Sequence, residues 1–182
     1  MTVANLLTVF RMVVIPFFIM AITYGRPQTA LWLFLVAGIT DSLDGFIARV
    51  WNQRTALGAF LDPMADKLML TSAFVVMALP GMDLSYPIPP WLPVLTIARD
   101  VVIVLLSLVM SLSIGIRHFP PSVPGKVTTF FQISYIVGVL IQNGYGFPKV
   151  VVAGLMWAVA SLTVFSGLHY IWRMRIMIRG RE

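Results

Sequence analysis

Four aspartates at helical spacing are the residues of this chain most suited to chemistry. Asp41 and Asp44 are three residues apart, and Asp62 and Asp66 are four apart. Either spacing places both carboxylates of a pair on one face of a helix. Two such helices side by side would form a cage of carboxylate oxygens, which suits Mg2+ or Mn2+ better than Zn2+. The pattern therefore predicts a divalent-metal site.

Small and cationic residues lie between the aspartates. Gly45, Ala48 and Gly58 would allow helix backbones, or a flat ligand, to approach closely. Arg49 lies one helical turn after Gly45 and presents a guanidinium that binds phosphate oxygens in bidentate fashion. Carboxylates, a divalent metal, an arginine and close backbone access together indicate a site for a diphosphate.

Composition places these residues in a membrane protein. Of the 182 residues, 59% are hydrophobic and 11% charged, against about 25% charged in soluble domains, and the mean hydropathy is +0.90. We predict a single integral-membrane domain over residues 1–182. The absence of cysteine excludes disulfides, a thiolate nucleophile and cysteine-type zinc sites. The net charge of +6 is better matched by a membrane surface or an anionic substrate than by nucleic acid.

Six apolar stretches are long enough to span a bilayer, which requires about 20 residues. They cover residues 5–24, 29–50, 56–79, 91–113, 125–142 and 149–171. The fold class predicted is an all-α bundle of six transmembrane helices. Lys and Arg concentrate at one set of ends and connections, which places both termini and the aspartates on the cytoplasmic side.

Intramembrane carboxylates also occur in ion pathways, so a divalent-cation transporter is a remote alternative. A transporter would carry acidic residues on several spans, but the last three have only Asp100. A second alternative treats the aspartates as a structural cluster of helix caps and salt bridges with Arg49, Arg54 and Lys67. The clustering at one end of two helices, beside an arginine, favours an enzyme.

The full spacing, D-x2-D-G-x2-A-R-x8-G-x3-D-x3-D, resembles the signature of the CDP-alcohol phosphatidyltransferase family at all eight positions. Three further blocks are similar to its bacterial phosphatidylglycerolphosphate synthases and its cardiolipin synthases: NLLTVFR, WNQRTALGAFLDPMADK and IARD. The resemblance implies a six-helix fold with a cavity open to the cytoplasm, a lateral opening for acyl chains, and a homodimer in a bacterial inner membrane.

The resemblance also implies roles for individual residues. Two ions, Mg2+ or Mn2+, would be held by Asp41, Asp44, Asp62 and Asp66, and Asp66 would also be the base for the acceptor hydroxyl. CDP-diacylglycerol would lie against Gly45, Ala48 and Gly58 with its diphosphate on Arg49. Asn5, Thr8 and Arg11 match a less specific N-terminal pattern whose polar groups approach the same site.

The reaction implied is attack of an acceptor hydroxyl on the phosphorus next to diacylglycerol, with release of CMP. Glycerol 3-phosphate is the first candidate acceptor and phosphatidylglycerol the alternative. Candidates for the acceptor phosphate site are Lys126, Arg99 and Arg117, although ordinary positive charge in cytoplasmic loops would also explain them. The Arg99-Asp100 pair, where the glycerol 3-phosphate enzymes usually have Arg-Glu, looks closer to the cardiolipin synthases.

Overall fold

The described part of the chain folds into six helices. The computed structural model describes residues 3–50, 56–114 and 123–179, with side chains at 6–41, 64–109 and 123–176. The helices are α1 (Val3–Thr23), α2 (Pro27–Val50), α3 (Ala56–Ala78), α4 (Trp91–Ile114), α5 (Val123–Tyr145) and α6 (Lys149–Arg179). All regular secondary structure in the described residues is helical. The predicted all-α class is confirmed, and each predicted stretch coincides with one helix.

The largest difference in bounds is at the end of α6. The apolar pattern predicts an end at residue 171, whereas the helix continues to Arg179. The extra turns contain arginine, methionine and isoleucine. Arginine and methionine have high helix propensity, so the helix outlasts its apolar run.

Helix packing leaves a space among three elements. Helix α1 packs against α2 and α3, α5 packs against α2 and α6, and α4 packs mainly against α6. Helix α3 makes smaller contacts with α4 and α5, and a cavity lies among these three helices.

Aromatic and aliphatic side chains fill the core on the other side of this space. The rings of Phe18 and Phe34 lie 6.0 Å apart between α1 and α2. The Phe74 ring stacks on Tyr135, with centroids 6.1 Å apart, between α3 and α5. Fully buried aliphatic residues surround these pairs, among them Ile22, Met77, Leu92, Ile136, Val139 and Leu140.

The outer surface is apolar as well. Large hydrophobic side chains such as Phe17, Trp32, Leu105, Phe130 and Trp157 are more than half exposed, which fits contact with lipid. By length and composition, four helices of the described chain could cross a membrane, through the segments Leu6–Thr23, Trp91–Val109, Val123–Tyr145 and Lys149–Ile176. Helices α2 and α3 are the two that contain the predicted aspartate cluster.

The first connection is a tight glycine turn. Gly25 has a φ of 63°, a left-handed conformation that glycine adopts without steric cost. The Gly25 N–H donates to the Ile22 carbonyl at 3.0 Å, and the Arg26 N–H donates to the Ala21 carbonyl at 2.8 Å. This is a Schellman motif, and it ends α1 immediately before Pro27 begins α2.

Side-chain amides secure the same end of the bundle, which we call the tied end because it holds the α1–α2, α3–α4 and α5–α6 connections. Asn143 donates to the Tyr86 carbonyl at 3.0 Å and accepts from the Tyr86 N–H at 2.9 Å. Gln28 donates to the Gly144 carbonyl at 2.7 Å, and Gln142 accepts from the Phe147 N–H at 2.8 Å. The connections are thus fastened to helix ends.

Gly144 provides the first testable prediction. A Cβ atom at this position would lie 2.9 Å from Gln28 Cγ and 3.4 Å from the Gln28 backbone nitrogen. We expect Gly144→Ala to lower the free energy of unfolding by about 1–3 kcal/mol, because α5 must move away from the start of α2. The measurement is thermal unfolding in detergent.

Gly154→Ala is the matched control, because a Cβ atom there meets nothing within 4 Å. Alanine has higher helix propensity than glycine, so this variant should melt at the same temperature or higher. Equal melting of both variants would contradict the close approach at Gly144.

Candidate active site

A buried arginine joins the first three helices. Arg11 on α1 is 1% exposed. Its Nη2 lies 2.9 Å from Asp41 Oδ1 on α2, and its Nη1 contacts Asp66 Oδ1 on α3. One guanidinium therefore holds two carboxylates of the predicted metal cluster, in the charge-assisted geometry that favours arginine.

The position of Arg11 follows from the buried face of α1. Thr8, Arg11, Val14 and Phe18 are all buried, and their spacing of three or four residues defines one side of a helix. The apolar members of this face pack in the core. Arg11 lies on the same face closer to the N-terminus, where the facing helices supply carboxylates in place of apolar side chains.

The two carboxylates remain accessible from one side. The side chains of Asp41 and Asp66 are each 41% exposed, whereas that of Arg11 is 2% exposed. Carboxylates from separate helices that already converge on one cation fit the all-oxygen chemistry of a Mg2+ or Mn2+ site. Among the described residues no group of three or more acidic or histidine side chains gathers, and only these two of the four predicted ligands have described side chains.

Two cavities meet at Asp66. The larger, which we call the site cavity, has a volume of about 420 Å3 and lies among α3, α4 and α5. The smaller, of about 170 Å3, includes Arg11 and Asp41. Both are lined by Asp66, Leu70 and Thr129. The carboxylate predicted to act as a base thus borders a space large enough for a small ligand.

A second ionic cluster lines the site cavity. Asp100 Oδ1 accepts from Arg99 Nη1 at 2.7 Å, and Asp100 Oδ2 lies 3.1 Å from Lys67 Nζ. Arg99 Nη2 also donates to Ser166 Oγ on α6 at 2.6 Å. Because Lys67 directly follows Asp66, α3 contributes to both clusters at consecutive residues. Lys67 pairs with Asp100.

The predicted acceptor residues are distributed unevenly. Arg99 lines the site cavity. Lys126 is exposed near the start of α5 and lines neither cavity. Arg117 lies outside the described residues.

The predicted CDP-diacylglycerol residues are mostly beyond the described side chains. Thr8 is fully buried one turn before Arg11. The remaining signature and N-terminal positions lie in α1, α2 and α3, with side chains outside the described residues: Asn5, Asp44, Gly45, Ala48, Arg49, Gly58 and Asp62.

Comparison with known proteins gives the family. A model of the CDP-alcohol phosphatidyltransferase domain matches residues 1–165, most of the chain. The chain belongs to the CDP-alcohol phosphatidyltransferase family. Its members are phosphatidyltransferases, so family membership supports an enzyme over a transporter. The resemblance stated from the signature is confirmed.

Three relatives illustrate its place in the family. A probable phosphatidylglycerophosphate synthase of Mycobacterium tuberculosis is 34% identical, covering 93% of this chain and 80% of the relative. A CDP-diacylglycerol--glycerol-3-phosphate 3-phosphatidyltransferase of Haemophilus influenzae is 35% identical, covering 91% and 89%. A cardiolipin synthase (CMP-forming) of Streptomyces coelicolor is 31% identical, covering 99% and 86%.

Three residues of the site in this phosphatidyltransferase were not predicted from the sequence. Thr129 and Gln132, one turn apart on α5, line the site cavity. Ser166 is completely buried against Arg99. The spacing of Thr129 and Gln132 along an apolar helix is a signal of a polar face, whereas a lone serine such as Ser166 is not.

Arg11 provides the second prediction. We expect Arg11→Met to lower the free energy of unfolding by about 1.5–3 kcal/mol, since two facing carboxylates lose their shared cation. The free energy of unfolding of Arg11→Lys should fall between those of Arg11→Met and the wild type, because one ammonium cannot reproduce two guanidinium contacts. Thermal unfolding in detergent, with and without Mg2+, measures both effects. Added Mg2+ should stabilise Arg11→Met more than the wild type, because a divalent cation can replace the positive charge that Arg11 supplied to the two carboxylates.

Arg26→Met is the control, because Arg26 is exposed at the tied end. It should leave both the melting temperature and the Mg2+ response unchanged. If Arg11→Met behaved like Arg26→Met, the guanidinium would not be what holds the two carboxylates.

Proposed function

We propose that this enzyme transfers the phosphatidyl group of CDP-diacylglycerol to glycerol 3-phosphate, forming phosphatidylglycerol phosphate and CMP. Support comes from family membership and from relatives named for this activity. The structural observation that carries the proposal is the position of Asp66. This carboxylate faces Asp41 through Arg11 and borders the cavity that contains Arg99.

In this proposal the four signature aspartates, Asp41, Asp44, Asp62 and Asp66, hold two divalent ions, Mg2+ or Mn2+. The ions supply electrostatic stabilisation of the charge that develops on the phosphates and on departing CMP. Asp66 accepts the proton of the acceptor hydroxyl as the oxygen attacks phosphorus. The P–O bond to CMP breaks as the new P–O bond forms, with no covalent enzyme intermediate.

The remaining signature residues bind the donor. Gly45, Ala48 and Gly58 allow the cytidine diphosphate to lie close to the backbones of α2 and α3, and Arg49 binds the diphosphate. Asn5 and Thr8 complete this subsite from α1. The burial of Thr8 beside Arg11 supports a role for the start of α1.

The acceptor phosphate binds Arg99 in the site cavity, with Lys126 and Arg117 as further cations at the cytoplasmic face. Phosphatidylglycerol is the second candidate acceptor. Two observations favour it: the Arg99-Asp100 pair and the cardiolipin synthase among the relatives. The site therefore has one donor chemistry and two candidate acceptors, which experiment distinguishes.

We also propose the membrane setting. All six helices span a bacterial inner membrane, both termini and the active site face the cytoplasm, and the enzyme is a homodimer. The distribution of positive charge supports this orientation. At the tied end the Lys and Arg residues are only Arg26 and Lys149, whereas the opposite connections and ends carry nine.

The third prediction tests the reaction. Purified protein in detergent with CDP-diacylglycerol and Mg2+ or Mn2+ should release CMP when glycerol 3-phosphate is added. Asp66→Asn should reduce the rate at least about a hundredfold, because it removes a base and a metal ligand. Asp83→Asn is the matched control, since Asp83 is exposed in the α3–α4 connection.

Release with phosphatidylglycerol alone would reassign the enzyme to cardiolipin synthesis. Release with neither acceptor, or equal rates for Asp66→Asn and wild type, would overturn the proposed reaction.

The fourth prediction tests sidedness. The chain has no cysteine, so a single introduced cysteine gives an unambiguous label. In intact cells an impermeant maleimide should label Ser85→Cys, in the α3–α4 connection, and should not label Gln53→Cys, between α2 and α3, until the cells are opened. The reverse pattern would invert the topology, and labelling of both positions in intact cells would contradict six spans.

A further inference from the structure

We propose that Asp100 is a positioning residue for the acceptor: it holds the cationic groups of Arg99 and Lys67 at the site cavity, where they receive the acceptor phosphate beside Asp66. The inference rests on the proposed function and deepens it, because it assigns a role to a carboxylate outside the family signature. Lys67 and Ser166 become parts of the acceptor site with it.

The two oxygens of Asp100 serve two different cations. Oδ1 accepts from Arg99 Nη1 at 2.7 Å, and Oδ2 lies 3.1 Å from Lys67 Nζ. Lys67 comes from α3 and Arg99 from α4. Two like charges from separate helices would repel each other if they stood together alone. A carboxylate between them removes that repulsion and keeps both near one point.

Arg99 is held on two sides. Its side chain is 10% exposed, with Nη1 on Asp100 and Nη2 on the buried Ser166 hydroxyl. A guanidinium has five N–H donors, and these two bonds leave three. One of them, on Nε, has no hydrogen-bond partner among the described residues. The group is therefore fixed in orientation while it retains donors for an anion.

The location connects this ionic cluster with the proposed base. Asp66, Lys67, Arg99 and Asp100 all line the site cavity, whereas Arg11 and Asp41 line the smaller one. Thr129, which lines both cavities, and Gln132 add polar groups on the opposite wall. An anionic acceptor bound to Arg99 and Lys67 would occupy a cavity that the proposed base, Asp66, also lines.

The balance of charge sets what this site accepts. Lys67, Arg99 and Asp100 together carry one net positive charge, and Asp66, the other charged residue that lines the cavity, contacts Arg11. That charge attracts a phosphate, and the fixed guanidinium orients it. Loss of the Asp100 charge would leave Lys67 and Arg99 repelling each other. The site would gain positive charge, but its two cationic groups would lose their geometry. We expect the loss of geometry to outweigh the gain in charge, because the Arg99 side chain is only 10% exposed and its hydrogen bonds determine its direction.

The test is steady-state kinetics of the full chain in detergent with Mg2+. We expect Asp100→Asn to raise KM for the acceptor about tenfold, the effect of one lost charge-assisted hydrogen bond, while KM for CDP-diacylglycerol stays within twofold. Asp100→Glu should recover most of the loss, and Ser166→Ala should show a smaller rise in the acceptor KM. The control is Asp83→Asn. The acceptor used is whichever of glycerol 3-phosphate and phosphatidylglycerol the wild type turns over.

A different result is expected if Asp100 serves only to link α3, α4 and α6 structurally. Asp100→Asn would then lower the melting temperature and kcat and leave the acceptor KM unchanged, with Asp100→Glu no better than Asp100→Asn. That outcome overturns the inference. An equal rise of both KM values overturns it as well.

A binding measurement separates this inference from the proposed function. Glycerol 3-phosphate, added without CDP-diacylglycerol, should raise the melting temperature of the wild type and not that of Asp100→Asn. If the wild type shows this shift but releases no CMP, the proposed reaction fails and the anion site at Asp100 stands. If neither acceptor is turned over and glycerol 3-phosphate shifts neither protein, the inference fails.

Discussion

The contact of one buried guanidinium with two carboxylates is the constraint on which the site depends. Burying the charge of Arg11 is costly without a partner of opposite sign. Asp41 and Asp66 offset that cost only when α1, α2 and α3 are rotated so that these three residues meet. The charge that organises the site thus also fixes how three helices pack, and the apolar contacts of α1 with its neighbours continue from that point.

Helix α3 connects this centre with the second one. Consecutive residues on a helix point about 100° apart, so Asp66 faces α1 and α2 while Lys67 faces α4. A small rotation of α3 would disturb both clusters together. The two ionic clusters are therefore not adjusted independently, because the consecutive residues Asp66 and Lys67 contribute one to each.

The sequence predicts much of this because the information is local. The six helices can be predicted from apolar stretches separated by glycine and proline. The clustering of the aspartates can be predicted from their spacing within one short segment. The pairing of Asp100 with Lys67, and of Arg99 with Ser166, depends on how helices distant in sequence are rotated against each other, which no local spacing encodes. The eventual end of α6 depends on helix propensity after the apolar run is over. The charges in α2 and α3 make the apolar character of those two helices the least apparent from hydropathy.

The tied end has a mechanical consequence. Hydrogen bonds that involve Gln28, Asn143 and Gln142 fasten helix ends and connections there. Farther along, the site cavity lies among α3, α4 and α5, and the Lys67–Asp100 ion pair joins α3 to α4. Helices that are fastened at one end can change their tilt about that end, as a lever turns about its pivot. A tilt of only a few degrees would move the cavity end of these helices by several times the displacement near the tied end. The site cavity could thus change in width while the turns at the tied end stay intact.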